Sequence, residues 1–187
     1  MGRYRIRSAL STDLPALAAA NIVCWRETYG ALLPADFLQG RIEKDPHYCV
    51  EHWQELLSRW RVLLVEADGT VAGPDRRPQI DGFILFGDSS GALPQFDAQI
   101  EKLYLRKSAQ RAGLGRALMR AAARDLLQQG RRSLIVWLID WNEPAQRFYR
   151  RLGGVRVGEP QAFTIAGVPL HEIAFGWPSL LPVAAGG

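Results

Sequence analysis

Apolar and polar positions along the chain lay out a series of short elements. Tyr4 and Ile6 alternate with Arg3, Arg5 and Arg7, the period of a strand with one face buried. Ser11 or Thr12 then stands where a helix is capped, with Asp13 and Pro15 in its first turn. Leu14, Leu17, Ala18, Ile22 and Trp25 recur at helical spacing. A second helix is predicted over Pro46–Trp60. Arg61–Ala67 reads as a strand ending in the turn Asp68-Gly69, and Ile80–Phe86 reads as its partner. The Gly73–Pro78 loop between them is longer than a hairpin needs. A Ser- and Gly-rich loop, Asp88–Pro94, precedes another strand, Gln99–Leu105.

In the second half, Leu114, Ala117, Leu118, Ala121, Ala122 and Leu126 mark an amphipathic helix that stops near Gly130. Ser133–Ile139 carries the continuous apolar run of a strand buried on both faces. A short helix, Glu143–Leu152, ends at Gly153-Gly154, and Phe163–Phe175 reads as strand broken by a turn around Gly167. Residues 178–187 are expected to be a loosely ordered tail. No repeat or internal boundary interrupts this order, so the expectation is a single domain over residues 1–177. Strands, then strand–helix–strand–helix, then strands describe an α/β protein: a mixed sheet with one parallel crossover.

Composition then removes several classes of function. A chain of 187 residues that is 48% apolar has a sizeable core and is not disordered. Its longest near-continuous apolar run, Leu134–Ile139, is far short of a bilayer span, so no membrane partner is expected. The N-terminal segment alternates cations and apolar residues without a signal-peptide stretch, which makes the cytoplasm the expected location. Cys24 and Cys49 show no pairing or metal-ligand spacing. His47, Cys49 and His52 do not share a helix face, so no metal site is expected. The net charge of +4 and pI of 9.4 admit nucleic acid, an anionic surface or a polyphosphate ligand. The cations are scattered and do not interleave with aromatics, which argues against nucleic acid.

One turn carries chemistry. Gly113 and Gly115 sit where a strand feeds a helix, and glycines let backbone N–H groups approach a ligand. A helix start adds free donors and the positive end of its dipole. Together they make an anion cradle suited to a pyrophosphate, with Arg106, Lys107, Arg111 and Arg116 in reach. Taken alone, the same glycines serve equally well as a connecting turn. A dinucleotide fingerprint fits less well, because Leu118 stands where its third glycine should be. A P-loop is excluded by the lack of Gly-Lys-Ser/Thr.

Three segments resemble the GNAT N-acetyltransferase family. Ile100-Glu-Lys-Leu-Tyr-Leu105 is similar to its central strand. Gln110-Arg-Ala-Gly-Leu-Gly115 matches its Gln/Arg-x-x-Gly-x-Gly/Ala pyrophosphate loop. Asn142-Glu-Pro-Ala-Gln-Arg-Phe-Tyr149-Arg-Arg-Leu-Gly153 matches its Asn-x-x-Ala-x-x-Phe-Tyr-x-x-x-Gly segment. Trp25-Arg-Glu-Thr-Tyr29-Gly30 is similar to the end of the first helix in many bacterial members. The order of elements agrees as well, so the likeness spans most of the chain. The fold it implies is a mixed, mostly antiparallel sheet with one splayed parallel strand pair, flanked by helices.

The resemblance also implies an activity: transfer of an acetyl group from acetyl-CoA to a primary amine, on a small molecule or a peptide N-terminus. A homodimer is among the arrangements left open. Leu103, Tyr104 and Leu105 would pair with the pantetheine arm, and Gln110, Arg111, Ala112, Gly113, Leu114, Gly115 and Arg116 would hold the pyrophosphate. Arg147 and Asn142 would also face the coenzyme, although Asn142 serves equally as a helix cap. Tyr149 would be the general acid, while its place in the stripe Ala145, Phe148, Tyr149, Leu152 is equally that of a core residue. Some members carry a carboxylate base at the position of Gln99, and an amide cannot do that work. Glu101, two residues on and on the same side of the strand, is the nearest substitute, with His171 and Glu172 as further candidates and water as another. Gln99, His171, Glu27 and Tyr29 would line the acceptor site, whereas Trp25 belongs to a core stripe. The rival on the same fold is a non-catalytic acyl-CoA-binding regulatory module.

Overall fold

The computed structural model describes residues 4–30, 46–67, 79–165 and 167–186, the side chains of 46–50 excepted. The expected turn Asp68-Gly69, the Gly73–Pro78 loop and residues 31–45 lie outside them. The elements in chain order are β1 (Tyr4–Ser8), α1 (Leu14–Tyr29), α2 (Pro46–Arg59), β2 (Arg61–Ala67), β3 (Ile80–Asp88), β4 (Ala98–Leu105), α3 (Leu114–Gln128), β5 (Leu134–Ile139), α4 (Glu143–Arg151), β6 (Val155–Ile165), β7 (Val168–Trp177) and α5 (Leu181–Ala185). Among the described residues, seven strands are hydrogen-bonded in the order β1-β2-β3-β4-β5-β7-β6. β1–β2, β5–β7 and β6–β7 are antiparallel, and β4–β5 is the parallel pair. This is the mixed α/β sheet with one parallel crossover that the order of elements predicts, mostly antiparallel as the family resemblance implies. The chain forms two compact units, Met1–Leu85 with Leu103–Gly115, and Phe86–Lys102 with Arg116–Gly187.

In the first unit, Leu14, Leu17, Ala18 and Ala20 of α1 pack with Trp53 of α2 and with Val62, Leu64, Ile80, Phe83 and Leu85 of β2 and β3. The Trp53 and Phe83 rings meet edge to face at 5.5 Å. Each large side chain buried this way contributes about 1.5–3 kcal/mol, so this cluster is what holds α1 against the strands. The start of α1 differs from expectation. Ser11–Asp13 form a 3-10 turn, and neither Ser11 nor Thr12 is the cap. Asp13 stands at the N-cap position, yet its side chain bonds no amide of α1 and instead accepts the Leu10 N–H at 2.8 Å. It also takes both Arg7 Nη atoms, at 2.6 and 2.8 Å. Arg5 and Arg7 in turn bind Glu66, which the ladder places directly opposite Arg5. The arginines of the edge strand thus pair with carboxylates that burial would otherwise penalise. Hydrogen bonding to Arg7 lowers the Asp13 carboxyl. Burial pushes Glu66 up, but the Arg7 and Arg5 guanidiniums outweigh it and leave its carboxyl lowered.

In the second unit, β5 and β7 pair from Leu134 opposite Trp177 to Ile139 opposite Glu172. The stripe Leu118, Met119, Ala122, Ala123 and Leu126 of α3 is fully buried. The Phe96 ring lies so close to Gly176 that a Cβ there would come within 2.3 Å of it. Trp177 Nε1 donates to the Leu152 carbonyl at 2.8 Å.

Two elements depart from the pattern-based reading. β6 begins at Val155 rather than Phe163. It is the last strand of the sheet, mostly exposed, with Gly158 left-handed at φ 67° and a register shift between Val157 and Gln161 that contains Pro160. An exposed edge strand needs no alternation, and its Gly and Pro look like breakers. The second departure is the tail. It was expected to be loose, yet Leu180, Val183 and Ala184 are buried. The Leu180 N–H donates to the Arg132 carbonyl at 2.8 Å, and Arg124 Nε donates to the Ala184 carbonyl at 2.9 Å. Its apolar side chains have a surface to cover, which fixes it.

Candidate functional site

The candidate residues divide between the two units. In the first, β4 runs out at Leu105 into a loop tied down from Arg106 to Gln110. The Arg106 N–H donates to the Asp81 carbonyl and Arg106 Nε to the Ile80 carbonyl, both at 2.9 Å. Gln110 Nε2 reaches back to the Leu105 carbonyl at 3.1 Å. Lys107–Ala109 make a 3-10 turn around the buried Ala109. Beyond it, Gln110, Arg111, Ala112 and Gly113 are exposed, and Leu114 and Gly115 become buried as α3 begins.

Two residues of that exposed stretch are left-handed, Arg111 at φ 64° and Gly113 at φ 78°. Glycine adopts this conformation freely, whereas for arginine it costs about 1–3 kcal/mol. Loops with residues of this hand can turn successive N–H groups toward one point. The first-turn amides of α3 lack intrahelical acceptors, and open space lies where a Gly113 Cβ would project. Arg111 and Arg116 are both exposed beside this helix start. Donors, dipole and cations fit a pyrophosphate.

Leu103, Tyr104 and Leu105 are half-buried. Tyr104 packs its ring against Phe83 at 5.7 Å and shares a hydrogen bond with the Tyr29 hydroxyl at 3.1 Å. Burial raises the Tyr29 phenol, and the bond to Tyr104 offsets part of that rise. Trp25 is half-buried rather than in the core, its ring 4.6 Å from that of Tyr29. Glu27, expected to draw in an amine, accepts the Lys107 backbone N–H through Oε2 at 2.7 Å. Cys24, one turn earlier, is buried, and its thiol is pushed up to about 12 by loss of hydration.

In the second unit, Gln99 is buried and satisfied. Its Oε1 accepts the Ser90 N–H at 2.9 Å, and its Nε2 donates to Glu101 Oε2 at 3.2 Å. It therefore anchors the preceding loop and orients Glu101, which also lies 3.6 Å from Lys102 Nζ. Burial and then the charge of Glu101 raise the Glu172 carboxyl of β7. A carboxyl shifted this way is a better proton acceptor than an ordinary one. His171 is exposed, and its carbonyl accepts the Asp140 N–H at 2.9 Å.

Asn142 is the cap of α4, its Oδ1 accepting the Ala145 N–H at 3.2 Å. Arg147 is exposed and paired with Glu143, one turn earlier, at 2.8 Å. Tyr149 is buried, with ring centroids of Phe148, Trp177 and Phe175 at 5.1, 5.8 and 6.3 Å. Three features escaped the sequence: the left-handed Arg111, the Glu27–Lys107 bond and the influence of Glu101 on Glu172. None leaves a mark on residue type or spacing.

Residues 25–154 match the Acetyltransferase (GNAT) family. YuaI, an uncharacterized N-acetyltransferase of Bacillus subtilis (strain 168), is 32% identical over 175 residues, covering 94% of this chain and 93% of that protein. The chain therefore belongs to the GNAT acetyltransferase family. Two solved structures share its fold. One is yncA of Salmonella typhimurium, determined with its cofactor acetyl-CoA, at TM-score 0.64 and 20% identity over 95% of this chain and 94% of that one. The other is the PaiA N-acetyltransferase of Thermoplasma acidophilum in complex with coenzyme A, at TM-score 0.63 and 17% identity over 91% and 97%.

Proposed function

We propose that the chain is an acetyl-CoA-dependent N-acetyltransferase acting by direct attack on a primary amine, borne by a small molecule or a peptide N-terminus. The observation that carries this reading is the exposed loop with left-handed Arg111 and Gly113 opening onto α3, in a chain of this family. Amides from Arg111 to Arg116 take the pyrophosphate, with Arg111 and Arg116 adding charge. Leu103 and Leu105 offer backbone groups to the pantetheine arm as to an added strand. In support, only Ala98, Gln99 and Ile100 are in parallel register with β5, and Glu101–Leu105 are no longer buried.

Acetyl-CoA, when bound, supplies the acetyl group as a thioester. The amine nitrogen bonds to the carbonyl carbon, the carbon–sulfur bond breaks, and its electron pair leaves with sulfur. Nitrogen then sheds a proton and sulfur gains one. Tyr149 Oη is assigned as the donor to sulfur. Glu101 is the acceptor of the amine proton, with Glu172 the alternative that its raised carboxyl favours. Gln99, whose amide cannot take the proton, holds Glu101 in place.

The reading is tested by calorimetry with coenzyme A and by thiol release from acetyl-CoA against a panel of amines. Gly113→Asp adds a negative charge at the helix start and should abolish measurable binding while the protein stays folded. Unchanged affinity in that variant removes the site.

A further inference from the structure

We propose that Glu27 is a positioning residue for the coenzyme, holding the loop that receives the pyrophosphate rather than the amine acceptor. The inference rests on the acetyltransferase reading, because that loop is the one assigned to the pyrophosphate. Glu27 lies in the last turn of α1 and Lys107 opens the 3-10 turn that leads to Gly113. The Lys107 N–H donates to Glu27 Oε2 at 2.7 Å, at the short end of the normal N–H···O range. The Tyr29–Tyr104 hydroxyl pair, two residues on in α1, makes a second tie from the same helix end to β4.

The loop needs such a tie. Gln110 to Gly113 are exposed, and Arg111 is held in a conformation unfavourable for arginine. Exposed strained backbone persists only where its surroundings fix it. Arg106 fixes the loop to β3 and Gln110 fixes it to the end of β4. Glu27 supplies the remaining tie, to a helix. Its charge sits badly where it is, since the C-terminal end of a helix disfavours an anion. What the contact uses is therefore the acceptor oxygen, which glutamine also provides.

Two variants separate the roles. Glu27→Ala should weaken coenzyme A binding about 3–10-fold by calorimetry, the range expected for loss of one ordinary hydrogen bond. Glu27→Gln should bind within about 2-fold of wild type, since its amide oxygen can keep the hydrogen bond to Lys107. Hydrogen exchange of the Lys107 amide in the free protein should be slow in wild type and Glu27→Gln and fast in Glu27→Ala, at unchanged melting temperature. Wild-type affinity in Glu27→Ala overturns the inference and leaves the function standing. Equal loss in both variants also overturns it, because charge would then matter rather than the oxygen. If wild type itself fails to bind coenzyme A, the functional reading falls and the inference with it.

Discussion

Replacing Gly82 by alanine puts a methyl group where β3 passes closest to the end of β4. The new Cβ would lie 2.3 Å from Leu105 Cδ2, 2.8 Å from the Tyr104 carbonyl oxygen and 3.3 Å from Leu105 Cα. The leucine methyl can swing away, but the other two atoms are backbone. Either β3 or the Tyr104–Leu105 segment must yield by several tenths of an ångström. Overpacking of this kind costs about 1–3 kcal/mol, and burying one methyl returns about 0.8 kcal/mol. The net loss should be up to about 2 kcal/mol, a fall in melting temperature of up to roughly 8 °C for a chain of this size. Because Leu103–Leu105 are assigned to the pantetheine arm, coenzyme A affinity should fall in the same variant. Thermal unfolding by circular dichroism and calorimetry with coenzyme A read the two effects. Wild-type melting and affinity together would refute the reasoning, since the close approach would then constrain nothing.

Tyr149→Phe keeps the ring contacts with Phe175 and Trp177. It should leave coenzyme binding near wild type while lowering turnover about 10²–10⁴-fold, the usual range for general acid assistance. Turnover equal to wild type, with chemistry rate-limiting, makes Tyr149 a core residue only. Arg111→Gly should relieve the left-handed strain and raise stability by up to about 1 kcal/mol. It should also weaken coenzyme A binding by removing a cation, so denaturation and calorimetry should move in opposite directions. Asp13 and Glu66 have lowered carboxyls, so their stabilisation is complete above about pH 4–5 and is lost as pH falls through their folded values. Glu172 is raised, so its contribution has the opposite sign, greatest in acid and lost as pH rises through its folded value. Urea midpoints from pH 7 to pH 3 should fall toward acid, and Asp13→Asn should flatten that fall.

The strands and helices were legible wherever burial forces a period on the sequence. β5 reads as a strand because its apolar run serves a buried place between neighbours, and α3 because its stripe covers a core. β6 did not read, since an edge strand exposed along most of its length carries no such constraint. The tail was a different failure. Leu180 and Val183 stand at helical spacing, but Pro178 before them and Pro182 between them obscured an apolar signal that was present. In the candidate site, Gly113 was legible because its backbone conformation selects glycine. Arg111 shares the conformation without the residue type that marks it. The cap at α1 was misassigned for a related reason. Ser11 and Thr12 have the right chemistry, yet Asp13 has both the Leu10 amide and Arg7 to satisfy. The influence of Glu101 on Glu172 depends on how strands distant in sequence are set in the sheet, which no local pattern encodes.

The break in β6 reaches beyond its own strand. From Val157 to Gln161 the ladder with β7 is interrupted, and Pro160 within that stretch has no N–H to give. Regular register is kept along Val155–Val157 and again along Gln161–Ile165, so a strand from another chain would meet two short stretches and no continuous border. The break thereby guards an exposed edge strand against extended edge-to-edge pairing.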